Sequence, residues 1–238
     1  MMSQPKLTVF GGVLTVLLSG FVVPSHAADQ PDCRAAAEPG INWENCDRKL
    51  LMLKASDLSG ANLFDTNLTS TDLRESNLVE ANFEKATLFR ASLAGSSAAG
   101  ARFDRVEAYR ADFSEIDAIG ATFGNAEMQR VRFHNAKLAN TDFTKADLGR
   151  AQFDGADISG SRFALANLAR ADFRGTTFDA ALDFDRAFVF LARFEGVDLS
   201  AATGLTQLQL DIACGDDSTS LPAGLTRPSG WPCNFEQE

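Results

Sequence analysis

Residues 141–175 read TDFTK ADLGR AQFDG ADISG SRFAL ANLAR ADFRG. Every fifth residue, from Phe143 through Leu148, Phe153, Ile158, Phe163 and Leu168 to Phe173, is large and apolar, and the residue two before it is Ala or Ser or Thr. Neither the roughly 3.6-residue period of a helix nor the alternation of a strand produces a spacing of five. The register extends outward in both directions. It runs back through Leu138, Phe133, Met128, Phe123, Ala118, Phe113, Ala108, Phe103, Ala98, Leu93, Leu88 and Phe83 to Leu58, and forward to Phe178. Of these 25 positions, 22 are Leu, Phe, Ile or Met, so the spacing is a rule of the chain and not a local accident. The companion series from Ser56 to Thr176 holds 14 Ala, 8 Ser or Thr and 3 Val or Ile. One residue is added between Phe178 and Phe184, after which Val189, Phe194 and Leu199 resume the spacing, giving about 29 units.

The segments Ala61-Asn62-Leu63-Phe64-Asp65, Ala146-Asp147-Leu148-Gly149-Arg150 and Ala166-Asn167-Leu168-Ala169-Arg170 resemble the A(D/N)LXX signature of the pentapeptide-repeat family. The resemblance implies an all-β fold: a right-handed, quadrilateral β-helix solenoid with one pentapeptide per side. The central Leu or Phe and the small residue two before it then point inward. Four units per coil predict that residues 20 apart stack, and the stacks differ in kind. One side carries Leu63, Phe83, Phe103, Phe123, Phe143 and Phe163; the opposite side carries Leu73, Leu93, Phe113, Phe133, Phe153 and Phe173. Two opposed Phe ladders are expected, with smaller groups on the other axis, as a core of fixed cross-section requires. Where the central residue shrinks to Ala108 or Ala118, the small position grows to Val106 or Ile116, which conserves volume. Ala98 with Ser96 lacks this exchange, so residues 96–100 are expected to form the loosest coil.

Composition fits this reading. The chain has 238 residues, 45% hydrophobic and 23% charged, which excludes a disordered polymer. Nineteen Phe stand against one Tyr and two Trp, a bias toward apolar rings without a polar handle. With two His, most His-based metal sites and catalytic dyads are out of reach, and neither cofactor nor metal is expected.

The flanks divide the chain. Leu7 to Val23 is an apolar run behind Lys6, followed by Pro24-Ser25-His26-Ala27, and reads as a signal peptide cut after Ala27. A membrane anchor is the alternative, but 17 residues with Gly11, Gly12 and Gly20 make a weak span. The expected division is signal peptide 1–27, N-terminal cap 28–55, β-helix 56–203 and C-terminal cap 204–238. A periplasmic or secreted location follows, with no membrane span once the signal is removed. The four cysteines cluster at the two ends, and export favours Cys33–Cys46 and Cys214–Cys233 as local disulfides. Zinc is the weaker alternative, because no C-x-x-C knuckle is present. Ile41 and Trp43 are expected to close one end of a rod of about seven coils, near 35 Å long at roughly 4.8 Å per coil. At the other end, Thr206 and Gln209 have capping-box spacing, with Leu205 and Leu210 placed as a staple. A helix from Gln207 to Cys214, stopped by Gly215, is expected to lay Leu208, Leu210 and Ile212 over the last coil.

Function must lie on outward positions. Arg90, Arg110, Arg130, Arg150 and Arg170 recur every 20 residues and form a ladder down one corner, a candidate surface for anionic ligands. The competing expectation is neutralisation by Glu107, Glu127, Asp147, Asp112 and Asp172. Gly60, Gly100, Gly120 and Gly160 mark a corner of positive φ. His134 follows inward Phe133 and is expected to be exposed and isolated. No acid/base pair, phosphate loop or nucleophile elbow is present, so no enzyme is expected. The expected role is an exported scaffold or interaction module for a protein or envelope polymer, as a monomer or weak dimer. The alternative follows from the resemblance: some family members bind type II topoisomerases by imitating duplex DNA. Residues 56–200 hold 22 acids and 16 bases, a weak net charge for a DNA mimic, and export would remove the chain from that target.

Overall fold

The structure, a computed structural model, describes residues 30–233; the segment expected to be a signal peptide, with its expected cleavage site, lies outside the described residues. The chain winds as a solenoid whose coils are joined by single parallel bridges, from Asn42 with Asn62 through Asp157 with Thr177, each pairing residues 20 apart. After the extra residue the offset becomes 21, as in Arg162 with Asp183 and Asn167 with Phe188.

The pentapeptide around Leu58 disposes of all five of its backbone N–H groups, which explains its residue preferences. Around Leu58, the Leu58 N–H donates to Asn77 O (2.8 Å) and the Gly60 N–H to Val79 O (2.8 Å), both in the next coil. The Ala61 N–H closes a turn on Leu58 O (3.0 Å), and the Asn62 N–H reaches back to Ile41 O (2.9 Å). The remaining donor, on Ser59, goes to Asp57 Oδ1 at 3.0 Å. This is an Asx turn, and it is why Asp or Asn precedes so many central residues. The residue two after the centre adopts positive φ, 63° at Gly60 and 57° at Arg110. A non-Gly residue accepts that conformation at roughly 1–2 kcal/mol, offset because the same residue supplies a ladder donor.

The interior carries the two Phe ladders. Phe83, Phe103, Phe123, Phe143 and Phe163 stack face to face at 4.7–5.2 Å and continue to Phe184 at 5.4 Å. Phe133, Phe153 and Phe173 stack at 4.9–5.2 Å and continue to Phe194 at 5.2 Å, while Phe113 meets Phe133 at 5.3 Å with a 44° tilt. Between ladders the rings meet edge to face, as Phe133 does with Phe123 (5.9 Å, 83°) and Phe143 (5.7 Å, 73°). Both are favoured arrangements of a ring quadrupole. Inward hydroxyls are satisfied by carbonyls of the preceding coil, as Thr141 Oγ1 donates to Ala118 O (3.1 Å) and Ser161 Oγ to Leu138 O (2.6 Å). At Ala98 the ladder runs through unbroken, with the Ala98 N–H on Asp117 O at 2.6 Å and Ser96 Oγ on Leu93 O at 2.7 Å.

The ladder begins at Asn42, inside the segment expected to be an N-terminal cap. Trp43 occupies a central position and is fully buried, while Arg48 takes the next one. The Arg48 guanidinium lies 3.9 Å over the Trp43 ring and donates to Cys33 O (2.6 Å) and Ala35 O (3.1 Å). A charged side chain at an inward position therefore hides the first coil from a count of apolar residues. The Cys33–Cys46 disulfide (Cα–Cα 5.3 Å) ties the incoming segment to this coil.

At the other end α1 spans Gln207–Ile212, with Thr206 as N-cap in a capping box with Gln209. It is shorter than expected, because Cys214 returns to the ladder: its N–H donates to Ala192 O (2.8 Å) and its carbonyl accepts from Phe194 (2.8 Å). Of the three apolar residues expected to face inward only Leu210 is buried; Leu208 is 79% exposed and Ile212 half so. Gly215 does not stop the helix. A Cβ there would overlap the Trp231 ring, whose Nε1–H donates to Ala213 O at 2.8 Å. Cys214–Cys233 (Cα–Cα 5.5 Å) fastens that tail.

The Asx turns make stability depend on pH. Burial would raise the pKa of Asp112, but hydrogen bonds from Ser114 and Arg132 outweigh it and hold the carboxyl below its ordinary value. Asp172 is lowered the same way against its own burial, by Arg174. A depressed folded pKa contributes stability above the unfolded value and loses it as pH falls through the folded one. The melting temperature is therefore expected to hold from neutral pH to about 4 and to drop below that. Thermal unfolding followed by circular dichroism checks this, and an unchanged melt near pH 3 refutes it.

Candidate functional site

The side centred on Leu88, Ala108, Met128, Leu148 and Leu168 carries three outward columns. Before each centre stand Thr87, Glu107, Glu127, Asp147 and Asn167, joined in sequence by parallel bridges. After each centre stand Phe89, Tyr109, Gln129, Gly149 and Ala169, and then Arg90, Arg110, Arg130, Arg150 and Arg170 at the corner. All five arginines have positive φ, between 55° and 61°. Identical backbone geometry in successive coils sets them one above another at roughly 4.8 Å.

The expected neutralisation of this column does not occur through the acids nearest in sequence. Asp112 is taken by Arg132 (2.7 Å) and Asp172 by Arg174 (2.6 Å), both on the adjoining side. Asp147 accepts from Gln129 Nε2 (2.6 Å), the Gly149 N–H (3.1 Å) and Asn167 Nδ2 (2.9 Å). Glu107 and Glu127 form no ion pair among the described residues. Several cations elsewhere on the rod are paired between coils, as Arg102 with Glu84 (2.7 Å) and Lys137 with Asp117 (3.3 Å), and others within one pentapeptide, as Arg74 with Asp72 (2.7 Å). Arg90, Arg130 and Arg150 have no carboxylate within salt-bridge distance among the described residues, and Arg110 touches only the Tyr109 ring, at 5.2 Å.

Two shallow troughs flank the column. One, of about 380 Å³, lies between Arg110, Arg130 and Arg150 on one wall and Arg132 and Gln152 on the other. The second, of about 350 Å³, is floored by Gly149 and Ala169 and edged by Arg130, Arg150 and Arg170 on one side and by Asp147 and Asn167, which hydrogen-bond each other, on the other. Arg130 and Arg150 thus form a cationic ridge reachable from both sides. Neither trough encloses a ligand, so the geometry suits something long lying on the surface.

The remaining candidates fall elsewhere. Gly60, Gly100, Gly120 and Gly160 adopt φ of 63–69° and serve turns. His134 is exposed but not isolated: Nδ1 contacts Asp154 Oδ2 and Nε2 meets Asn135 Nδ2 at 3.0 Å. Among the described residues no three His, Cys, Asp or Glu are grouped to hold a metal ion. No described helix is long and apolar enough to cross a membrane. Sequence reasoning missed the exposed rings Phe89, Phe188 and Phe190, 40%, 51% and 41% accessible. Their signal was available: each is a Phe outside the inward register.

Family models described as "Pentapeptide repeats (8 copies)" match residues 56–93 and 86–125, and one described as "Pentapeptide repeat region" matches 126–203. Among solved structures, HetL of the cyanobacterium Nostoc, a pentapeptide repeat protein involved in heterocyst differentiation regulation, is 25% identical. That match covers 75% of this chain and 91% of HetL, with a TM-score of 0.34. A pentapeptide repeat protein from the Arabidopsis thaliana thylakoid lumen is 30% identical over 41% of this chain and 65% of its own, with a TM-score of 0.32. QnrB1, a plasmid-mediated fluoroquinolone resistance protein, is 21% identical over 77% of this chain and 85% of its own, with a TM-score of 0.34. A search of curated proteins finds no match.

Proposed function

This chain belongs to the pentapeptide-repeat family, whose members fold as right-handed quadrilateral β-helices, and on that premise we propose that it is an exported, non-enzymatic binding module for an anionic partner. The observation that carries this reading is that Arg90, Arg110, Arg130 and Arg150 lie without an ion-paired carboxylate among the described residues, while Arg102, Arg132, Lys137 and Arg174 on other faces are paired. Export is supported by the disulfide at each end and by the apolar run Leu7 to Val23. The division we propose is a signal peptide over 1–27, coils entered at residue 41, and a C-terminal cap over 204–238. The open troughs favour contact along the rod over chemistry in an enclosed pocket.

Replacing Arg110, Arg130 and Arg150 together with Gln tests the reading. Three exposed pairs at roughly 0.5–1 kcal/mol each correspond to about a ten- to hundredfold loss of affinity. Titration calorimetry of polygalacturonate and of polyphosphate is expected to show salt-dependent binding of at least one polymer by the unaltered chain, lost in the triple variant. Equal binding by the variant, or no binding by either chain, refutes the proposal. The variant is expected to melt as the unaltered chain does, since the three side chains are exposed.

A further inference from the structure

We infer that the ligand is a linear polysaccharide with a carboxylate on each sugar, a polyuronate, lying along the rod between Phe89 and the Phe188–Phe190 pair. The inference rests on reading the arginine column as the binding face, and it adds what must lie there. The column is a straight row of guanidinium groups repeating once per coil, roughly 4.8 Å. Its ligand is therefore extended. The rings of an extended sugar chain each advance roughly one coil height. Because successive rings are turned about the chain axis, the carboxylate of every second or third ring faces the column and meets every second or third arginine. A strand of duplex DNA advances about 3.4 Å per phosphate and falls out of step within a few coils.

The column beside the arginines supplies the second argument. It reads Phe89, Tyr109, Gln129, Gly149, Ala169 and then Phe190, because the added residue shifts the stacking partner of this column by one: the Arg170 N–H donates to Phe190 O at 2.8 Å. Exposed rings thus stand at both ends and small residues in the middle. Phe188 and Phe190 lie nearly parallel, at 6.2 Å and 12°. A sugar ring is amphipathic, with an apolar C–H face and a polar edge. A C–H face laid on these rings turns the carboxylate edge toward the arginines, and Gly149 and Ala169 leave the floor low enough for the chain to pass. A polyphosphate has no apolar face to use the rings. Taken together, the other three sides hold 19 acids and 11 bases over residues 56–200, which disfavours a polyanion there relative to this corner.

The test uses the full, disulfide-bonded chain and three probes: polygalacturonate, fully methyl-esterified polygalacturonate and polyphosphate. Affinity electrophoresis is expected to show retardation by polygalacturonate, none by the esterified polymer, and less by polyphosphate. The double variant Phe89→Ala/Phe190→Ala is expected to weaken polygalacturonate binding on the order of tenfold and leave polyphosphate binding unaltered. Tighter binding of polyphosphate, or polygalacturonate binding indifferent to the Phe replacements, overturns the polyuronate assignment while the anion-binding reading stands. No binding of either polyanion overturns both. Both rings are exposed, and an unshifted melt of the double variant establishes that it is folded.

Discussion

Replacing Phe133 with Ala is expected to destabilise the rod by about 3–5 kcal/mol, the cost of deleting a buried ring in a core that cannot collapse around the gap. Phe133 is fully buried. It touches rings on four sides: Phe113 tilted at 5.3 Å, Phe153 stacked at 5.2 Å, and Phe123 and Phe143 edge-on at 5.9 and 5.7 Å. The ladder bonds fix the spacing of the coils, so its neighbours cannot close in. At roughly 2–4 °C per kcal/mol for a chain of this size, the melting temperature falls by on the order of ten degrees. Thermal unfolding checks the expectation, and a shift below about one degree refutes the inward placement. Phe89→Ala deletes the same side chain from an outward position and is expected to stay within about 0.5 kcal/mol. Hydrogen exchange in the Phe133 variant is expected to accelerate first around the deleted ring, because each coil is held only by its neighbours.

The second large effect is expected at the C-terminal end, where Cys214→Ala with Cys233→Ala should remove about 2–5 kcal/mol. Cys214 is fully buried and part of the last paired coil, whereas Cys233 belongs to a tail held there by the Trp231 ring against Gly215. Without the crosslink that tail is held by Trp231, by the Arg227 contacts with Asp217 and by the hydrogen bonds between Thr226 and Gln207 of α1. Trp231 is then expected to become solvent-exposed, and its fluorescence to shift to longer wavelength before the rod melts. A coincident transition at the unaltered temperature refutes a stabilising role. The Cys33–Cys46 loop is shorter, 13 residues against 19, and its removal is expected to cost slightly less.

The solenoid was legible because its physics repeats. A spacing of five sustained from Leu58 to Phe178 admits few structures, and the 20-residue columns of Phe identify opposite walls of the core. Legibility failed where that repetition is interrupted by chemistry of another kind. Arg48 occupies an inward place because it stacks on Trp43 and binds two carbonyls, so the first coil read as a cap. Gly215 looked like a helix stop, yet its lack of a side chain serves Trp231, a contact between residues 16 apart. The arginine column was visible in the sequence, but its charge state was not. Sequence proximity assigned Asp112 and Asp172 to it, while the coil geometry gives them to Arg132 and Arg174. Pairing on this lattice runs along a side, as Asp172 with Arg174, or between coils, as Asp112 with Arg132, and a linear sequence does not display which of the two an acid takes.

The added residue between Phe178 and Phe184 resolves an ambiguity inherent in the lattice. A chain misthreaded by one whole coil would still set Phe on Phe and every ladder donor on an acceptor from Phe83 to Phe163, so the core and ladder of the periodic part alone are nearly degenerate in energy among such states. Only aperiodic marks tell them apart. Trp43 fits one end, α1 the other, and at the bulge Leu182 fills an inward place otherwise held by small residues while the bridge offset changes from 20 to 21. These three irregularities count the coils, and the fold is unique because its repetition is imperfect.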